Sequence, residues 1–149
     1  MRLAIGCDEA GYAMKEMLAA HLRDAGHAVT DYGVGAGETA LYPDVALRVA
    51  SDVAGGAHDR AVLICGTGIG VSISANKVRG IRAAQAHDTY SAERAQKSND
   101  AQILCLGARV VGPELARSIV DAFLGAAFEP ARSGPKVDRI LKFEADGQI

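Results

Sequence analysis

Cys65 stands directly before the turn Gly66-Thr67-Gly68-Ile69-Gly70. The wholly apolar run 61–65 predicts a buried strand, and the turn after it predicts the start of a helix. Backbone N–H groups and the dipole at a helix N-terminus favour an anion, and the same field favours the thiolate form of a cysteine. Position alone leaves two interpretations open: a reactive thiol, or a small apolar residue that completes a buried strand.

The glycine turn by itself is compatible with several chemistries, because any tight turn from a strand into a helix favours glycine. It lacks the lysine of a phosphate-binding loop, and it lacks the full dinucleotide fingerprint. It also follows the third predicted strand instead of the first. The remaining interpretation is an oxyanion hole, in which backbone donors face a developing negative oxygen.

Polar and charged candidates follow or flank the predicted loops. The cations that could gather on a phosphate are Arg109, Arg132 and Lys136. The side chains that could line a cleft or hydrogen-bond hydroxyl groups are Asp8, Tyr42 and Asn99. Each has an ordinary alternative, which is a solvated surface charge for the cations and turn formation or capping for Asp8 and Asn99.

The elements that must position these residues alternate between short apolar strands and helical patterns. Strands are predicted at 3–7, 27–32, 61–65, 81–86 and 102–106. Helices are predicted from 10 to 25, from 43, over 68–78, from Asp88 to about 98, from Pro113 to about 126, and over 136–144. This alternation predicts an α/β fold: a three-layer αβα sandwich with a five-stranded parallel sheet, Rossmann-like or flavodoxin-like, in the order 2-1-3-4-5.

In such a sheet the ligand lies beyond the carboxyl ends of the strands, where the strand order reverses. Here that point lies between strands 1 and 3. The turns that follow these two strands are 8–11 and 66–70, so the sequence places its two most unusual turns at one cleft. The whole chain, 1–149, is predicted to form a single domain.

Composition narrows the class of protein. The chain has 149 residues, 49% of them hydrophobic, and a formal net charge of −2, which argues against nucleic acid or an anionic membrane as the main partner. No apolar run approaches the roughly 20 residues of a membrane span. The three cysteines fit neither a disulfide framework nor zinc spacing, so we expect a reducing, cytoplasmic location and no metal.

Over residues 3–140 the chain resembles ribose-5-phosphate isomerase B and its relatives, which include the galactose-6-phosphate isomerase subunits. The segments that carry the resemblance are Gly6-Cys7-Asp8, Ala10-Gly11, Tyr42-Pro43-Asp44, Ile64-Cys65-Gly66-Thr67-Gly68-Ile69-Gly70, Ala75-Asn76-Lys77-Val78, Gly80-Ile81-Arg82-Ala83, Asp88-Thr89-Tyr90-Ser91-Ala92, Ser98-Asn99-Asp100 and Gly107-Ala108-Arg109-Val110-Val111-Gly112. Together they are far more specific than any one of them.

The resemblance implies an aldose–ketose isomerase that needs no metal or cofactor. It implies a homodimer, or a tetramer built from it, with sites shared between subunits and the tail 130–149 packed on the partner. Cys65 would remove the proton next to the carbonyl, with Thr67 at the reacting end. The N–H groups of Gly66, Gly68, Ile69 and Gly70 would hold the enediolate. Hydroxyl groups would contact Asp8, Tyr42 and Asn99, and the phosphate would contact Arg109, Arg132 and Lys136.

The chain departs from the family pattern at several of these positions. Glu9 and Ser98 stand where histidine is usual, and the second of those histidines is credited with opening the furanose ring. Lys136 replaces an arginine and Ser133 a histidine at the phosphate end. Val71 stands where some members carry a glutamate base, so the cysteine variant applies.

The loss of histidine at Ser98 suggests a substrate that is already open. A tetrose 4-phosphate cannot close a furanose ring, because its O4 carries the phosphate. We therefore favour a tetrose or tetrulose 4-phosphate slightly over ribose 5-phosphate. Glu9 would then point at a hydroxyl or a cation. Three alternatives from other classes are a non-catalytic phosphosugar-binding module, a flavin carrier and a thiol-redox protein using Cys7 and Cys65.

Overall fold

A computed structural model of the chain describes residues 1–148. Its strands are β1 (Arg2–Cys7), β2 (Ala28–Asp31), β3 (Arg60–Cys65), β4 (Ala83–Gln85) and β5 (Ile103–Gly107). Neighbouring strands pair in parallel throughout one five-stranded sheet, and helices cover both of its faces. The predicted three-layer α/β architecture is therefore confirmed. Position 149, the last residue of the predicted domain and tail, lies outside the described residues.

The helices are α1 (Tyr12–Asp24), α2 (Tyr42–Ala54), α3 (Ile69–Ala75), α4 (Thr89–Asn99), α5 (Pro113–Gly125) and α6 (Pro130–Asp146), with a 3-10 turn at Glu9–Gly11 before α1. The predicted cap of α4 is confirmed, since the Asp88 carboxylate accepts the Ser91 N–H at 2.7 Å. None of the helices in residues 1–148 is long and apolar enough to cross a bilayer.

The last helix begins earlier than the sequence pattern predicts. The pair Gly134-Pro135 suggested a start at 136, but α6 runs through both residues from Pro130. Proline removes one N–H donor from a helix interior and normally disfavours it there. Pro135 is the sixth residue of α6, and exposed Ala131, whose carbonyl loses the donor, stays accessible to water.

The predicted strand order is wrong at one edge of the sheet. The observed order is β2-β1-β3-β5-β4, so the fifth strand lies inside and the fourth lies at the edge. Composition and length explain the exchange: β5, Ile103–Gly107, has no polar side chain and is wholly buried, whereas β4 has only three residues and ends on Gln85. A short, polar-ended strand suits an edge, and a wholly apolar strand suits the interior.

The exchanged strands change which helices share a face. Right-handed crossovers place the helix according to the direction in which the chain moves across the sheet. Because the chain returns inward from β4 to β5, α4 packs with α1 and α5 in one core layer, and α2 and α3 form the other. The order 2-1-3-4-5 would have put α4 beside α3.

Candidate active site

A cleft of about 480 Å³ opens where the loops after β1, β3 and β5 meet. It is lined by Asp8, Glu9, Ala10, Tyr42, Cys65, Gly66, Thr67, Ile69, Gly70, Ile73 and Arg109. The structure thus brings together the two turns that the sequence placed at one cleft. A larger groove of about 740 Å³ lies between α4 and α5, but none of the predicted site residues lines it.

Cys65 ends β3 at the floor of this cleft and is only 4% exposed. The Gly68 N–H donates to its sulfur at 3.2 Å. This contact depends on the left-handed backbone of Gly68, whose φ is +76°. A Cβ at that position would lie 2.8 Å from the carbonyl carbon of Leu106. The position therefore requires glycine, and the N–H that it presents to Cys65 is the kind of donor that stabilises a thiolate.

The other N–H groups of the turn have different surroundings. The Ile69 N–H donates to Thr67 Oγ1 at 3.3 Å, so it already has an acceptor within the chain. Gly70 belongs to the first turn of α3, where N–H groups have no acceptor inside the helix. The Tyr42 ring packs on Gly70 so closely that a Cβ there would lie 2.5 Å from Tyr42 Cε2. The tyrosine ring therefore forms one wall of the cleft beside the free helix end.

Arg109 provides the positive charge of the cleft. Its backbone N–H donates to the Gly66 carbonyl at 3.0 Å, which joins the β5 loop to the glycine turn. Its guanidinium extends over Gly66, with Nη1 3.4 Å from where a Cβ would stand. Within residues 1–148 Arg109 takes part in none of the ion pairs, so its charge faces the cleft without a carboxylate bound to it.

Asp8 and Glu9 form the acidic side of the cleft. Asp8 Oδ1 accepts the N–H groups of Ala10 and Gly11 at 3.1 and 3.2 Å. Burial raises the pKa of Asp8, and the Glu9 charge raises it further, against the lowering effect of those N–H groups and of Arg109. Glu9 is exposed, and its carboxylate accepts the Ala40 N–H at 3.4 Å, which ties the loop before α2 to the cleft.

Four predicted residues lie outside the cleft. Ser98 and Asn99 end α4, and Arg132 and Lys136 are exposed one turn apart on α6. The Glu129 N–H donates to the Lys97 carbonyl at 3.0 Å, so the start of α6 lies beside the end of α4. Ser98 in turn accepts a hydrogen bond from the Arg94 guanidinium. These residues therefore form a second polar group of their own.

This second group lies at the amino ends of the strands, whereas the cleft lies at their carboxyl ends. The Ala61 N–H, at the start of β3, donates to the Gln102 carbonyl, a few residues after Asn99. Cys65 is four residues further along β3, which corresponds to about 13 Å at roughly 3.3 Å per residue. One chain thus carries the two groups of predicted site residues at opposite ends of the strands, and its own cleft contains only Arg109 of the three predicted phosphate ligands.

The other two cysteines differ sharply from Cys65. Cys7 lies in the core layer on the opposite face of the sheet, so a Cys7–Cys65 redox pair is excluded. Burial raises the pKa of Cys7 to about 11, and burial raises the pKa of Cys105 still further. All three thiols are free.

Two polar side chains that the sequence did not single out support the turn. The Gln85 side-chain amide donates to the Thr67 carbonyl at 2.7 Å, and His87 Nε2 accepts the Gly107 N–H at 3.0 Å. His87 therefore carries its proton on Nδ1 when neutral. Neither residue matches a motif or a periodic pattern, because both act through backbone groups far away in sequence. No group of three or more potential metal ligands is present in residues 1–148.

Known proteins confirm the resemblance on which the sequence interpretation rests. The family model for ribose/galactose isomerases matches residues 3–140. A D-erythrulose-4-phosphate isomerase of Pectobacterium atrosepticum is 52% identical over 145 residues, covering 97% of this chain and 95% of that protein. A Ribose-5-P isomerase B of Listeria innocua is 53% identical over 138 residues, covering 93% of each.

Solved structures agree. Ribose-5-phosphate isomerase B of Clostridium thermocellum superposes with a TM-score of 0.96 at 44% identity, covering 99% of this chain and 100% of that chain. The sheet, the cleft and these similarities define a sugar-phosphate aldose–ketose isomerase. The chain belongs to the ribose/galactose isomerase family.

Selective alkylation checks the difference between the three thiols. With iodoacetamide at pH 8 we expect one label per chain, on Cys65, because only about one Cys7 thiol in a thousand is ionised at that pH. Peptide mass spectrometry locates the label, and Cys65→Ser should take up none. Labelling of Cys7 or Cys105 in the folded protein before Cys65 would contradict this assignment.

The raised pKa of Asp8 predicts a pH-dependent stability. Ionisation of this carboxyl opposes folding, so the stability that the protonated form contributes is complete below the ordinary pKa of 3.8. It is lost as the pH rises through the higher value of the folded state. Asp8→Asn keeps the accepting oxygen and removes the charge. We expect its Tm to exceed that of the parent at pH 7 and the gain to vanish at about pH 3.

Thermal melts from pH 3 to 8 measure this effect. Asp88→Asn is the matched control, because hydrogen bonding to Ser91 lowers the pKa of that carboxyl and its ionisation favours folding. The control should therefore melt below the parent at pH 7. If the Tm of Asp8→Asn at neutral pH were equal to or lower than the Tm of the parent, the charge of Asp8 would not oppose folding and the prediction would be wrong.

Proposed function

We propose that the chain interconverts an aldose phosphate and a ketose phosphate through a cis-enediolate, with Cys65 as the base. The observation that carries this proposal is the Cys65 sulfur at the floor of the cleft, 3.2 Å from the Gly68 N–H at the start of α3. A carbon next to a carbonyl is a weak acid, so its proton transfer needs both a base and stabilisation of the oxyanion.

The proposed reaction proceeds through two proton transfers at carbon and one between the two oxygens. The Cys65 thiolate takes the proton from the carbon beside the carbonyl, and the C–H electron pair forms the C=C bond while the carbonyl oxygen becomes an oxyanion. The free N–H groups at the start of α3 and the Thr67 side chain stabilise that charge. The Cys65 thiol then returns the proton to the neighbouring carbon, and one proton moves between the two oxygens. Neither a metal nor a cofactor is needed.

Asp8, Glu9 and Tyr42 are proposed to hold the hydroxyl groups of the sugar. Asp8 Oδ1 already accepts two backbone N–H groups, so Oδ2 is the oxygen left for substrate. The raised pKa of Asp8 suits a carboxyl that shares a proton with a substrate oxygen. Free thiols at all three cysteines fit our expectation of a cytoplasmic enzyme.

The complete site is proposed to form between two copies of the chain. Arg109 is the one predicted phosphate ligand in the cleft, while Arg132, Lys136 and the end of α4 with Ser98 and Asn99 lie at the amino ends of the strands. Exposed apolar side chains border the cleft: Leu41 is 72% exposed, Ile69 50% and Ile73 58%. A second copy that covers this apolar rim would bring its own α4 and α6 to the cleft and complete the phosphate site.

The proposed substrate is a tetrose or tetrulose 4-phosphate. Ser98 replaces the histidine credited with ring opening, and its hydroxyl is engaged by Arg94, which leaves no proton-transfer group there. A four-carbon sugar with a phosphate on O4 has no furanose ring to open. A relative that is 52% identical and another from Mycolicibacterium smegmatis, 51% identical, are both D-erythrulose-4-phosphate isomerases by name.

Ribose 5-phosphate is the second candidate. The specific observation in its favour is the Listeria innocua relative, which is as similar to this chain as the tetrulose enzymes and is called Ribose-5-P isomerase B. With this substrate, ring opening would fall to solvent or to Asp8 and Thr67. The alternative of a non-catalytic phosphosugar-binding module would keep Arg109, Arg132 and Lys136 but would need no thiol.

Isotope exchange and a substrate panel test these proposals together. In deuterated water we expect label at the carbon next to the carbonyl, and a higher kcat/KM for an erythrulose 4-phosphate than for ribose 5-phosphate, allose 6-phosphate or galactose 6-phosphate. Cys65→Ala should lose at least about 1,000-fold in kcat and still bind phosphate. Cys7→Ala is the matched control and should retain activity, since Cys7 lies on the other face of the sheet.

Each part of this experiment has its own contradictory outcome. A protein that leaves every sugar phosphate unlabelled would refute the isomerase proposal and favour a binding module. A clear preference for ribose 5-phosphate would refute the tetrulose substrate alone. Substantial turnover by Cys65→Ala would show that another group is the base.

Mixed oligomers test the shared site. Cys65→Ala and the double variant Arg132→Ala, Lys136→Ala should each be nearly inactive alone. When the two chains are co-expressed and mix at random, half of the dimers combine them, and each has one intact site. We therefore expect about a quarter of parental activity per chain. Activity no greater than the sum of the separate variants would place the whole site within one chain.

A further inference from the structure

The peptide group between Thr67 and Gly68 is held at both ends. Its carbonyl, on Thr67, accepts a hydrogen bond from the Gln85 side-chain amide at 2.7 Å. Its N–H, on Gly68, donates to the Cys65 sulfur at 3.2 Å. In a planar trans peptide the C=O and N–H bonds point in opposite directions. Gln85 and the Cys65 sulfur therefore lie at opposite ends of a single peptide dipole.

Gln85 reaches this peptide across the end of β5. It is the last residue of the edge strand β4, and β5 lies between β4 and the strand that carries Cys65. The turn lies directly on Gly107, where a Cβ would stand 2.8 Å from the carbonyl carbon and oxygen of Thr67. His87 holds the backbone of Gly107 in position, since its Nε2 accepts the Gly107 N–H at 3.0 Å. The edge strand thus supports the turn from the side opposite the cleft.

From this geometry we infer that Gln85 is a positioning residue for Cys65, acting through the peptide between Thr67 and Gly68. A donor on a carbonyl polarises the amide and strengthens the hydrogen bond that its N–H makes. The Gly68 N–H bond gains most when the sulfur is ionised, because charge-assisted hydrogen bonds are stronger than neutral ones. Gln85 thereby favours the thiolate and orients its donor. The catalytic part of this inference rests on the proposed role of Cys65 as the base.

The pH dependence of Cys65 alkylation tests the inference without relying on turnover. Gln85→Met keeps the side chain's length and removes the donor. Gln85→Glu keeps the shape, and its ionised carboxylate repels the Thr67 carbonyl. We expect the pH midpoint for iodoacetamide labelling to rise by about 0.3 to 1 unit in Gln85→Met and by more in Gln85→Glu. A purely structural contact would not order the two variants by charge.

Gln102→Met is the matched control. Gln102 also binds backbone groups through its side chain, the Gly80 carbonyl at 3.0 Å and the Arg82 N–H at 2.8 Å, but at the amino ends of the strands, away from Cys65. The Gln102→Met variant should have a lower Tm than the parent and the parental pH midpoint for Cys65 alkylation. Gln85 is exposed at a sheet edge, so both of its variants should fold, as circular dichroism checks.

Steady-state kinetics then separate this inference from the proposed function. We expect kcat of Gln85→Met to fall about two- to tenfold with KM nearly unchanged, since Gln85 does not line the cleft. Parental midpoints in both Gln85 variants of an active isomerase would overturn the inference and leave the proposed function standing. If the parent shows no isotope exchange, the proposed function fails, and the alkylation midpoints still decide whether Gln85 controls the Cys65 sulfur.

Discussion

The glycine turn lies across the end of β5, and the rest of the cleft depends on this close approach. Gly68 adopts φ +76° and Gly107 carries no Cβ, so the backbone of Thr67 comes within contact distance of β5. Only then can the Gly68 N–H meet the Cys65 sulfur, the Arg109 guanidinium extend over Gly66, and the start of α3 face the same space. Side chains at 68 or 107 would push the turn outward and separate these groups.

The same packing explains why one cysteine of three is suited to chemistry. Cys7, Cys65 and Cys105 all lie in central strands and are all buried. Burial in apolar surroundings disfavours the thiolate of Cys7 and Cys105, whereas Cys65 ends its strand at the cleft and meets a backbone donor. At Asp8, also in the cleft, partial burial disfavours the charged form of the side chain, because the carboxylate is poorly solvated. Groups whose charge is unfavourable for folding are characteristic of functional sites.

The distribution of charge around the sheet accounts for the proposed assembly. The cleft contains one arginine. The exposed cations of α6 lie beside the end of α4, at the amino ends of the strands, and hydrogen bonds hold α6 in that place. The Glu144 carboxylate accepts the Gly80 N–H at 2.8 Å, so α6 is attached near both of its ends at the amino ends of the strands, away from the cleft. Within one chain, Arg132 therefore lies far from Arg109. This separation is what supports the proposal that a second copy of the chain supplies Arg132 and Lys136 to the cleft.

Much of this protein could be predicted from its sequence, because local patterns report local structure. The alternation of apolar strands and amphipathic helices determined the α/β class, and the Asp88 cap and the buried strand ending at Cys65 were both predicted correctly. The segments of the ribose/galactose isomerases also identified the family. Bounds moved by a few residues, as for α6, where Gly134 and Pro135 lie inside a helix that they were expected to precede.

Tertiary structure alone decided the strand order, the face on which α4 packs, and the division of the predicted site residues between the two ends of the strands. Strand order depends on which strands compete best for the interior, and β5 with five buried residues displaces the shorter β4. That exchange carries Gln85 to a place from which it supports the turn across Gly107, a contact between residues 18 apart that no sequence period encodes. The sequence by itself determined the elements and the family. Contacts between groups that are far apart in the sequence exist only once the sheet has formed.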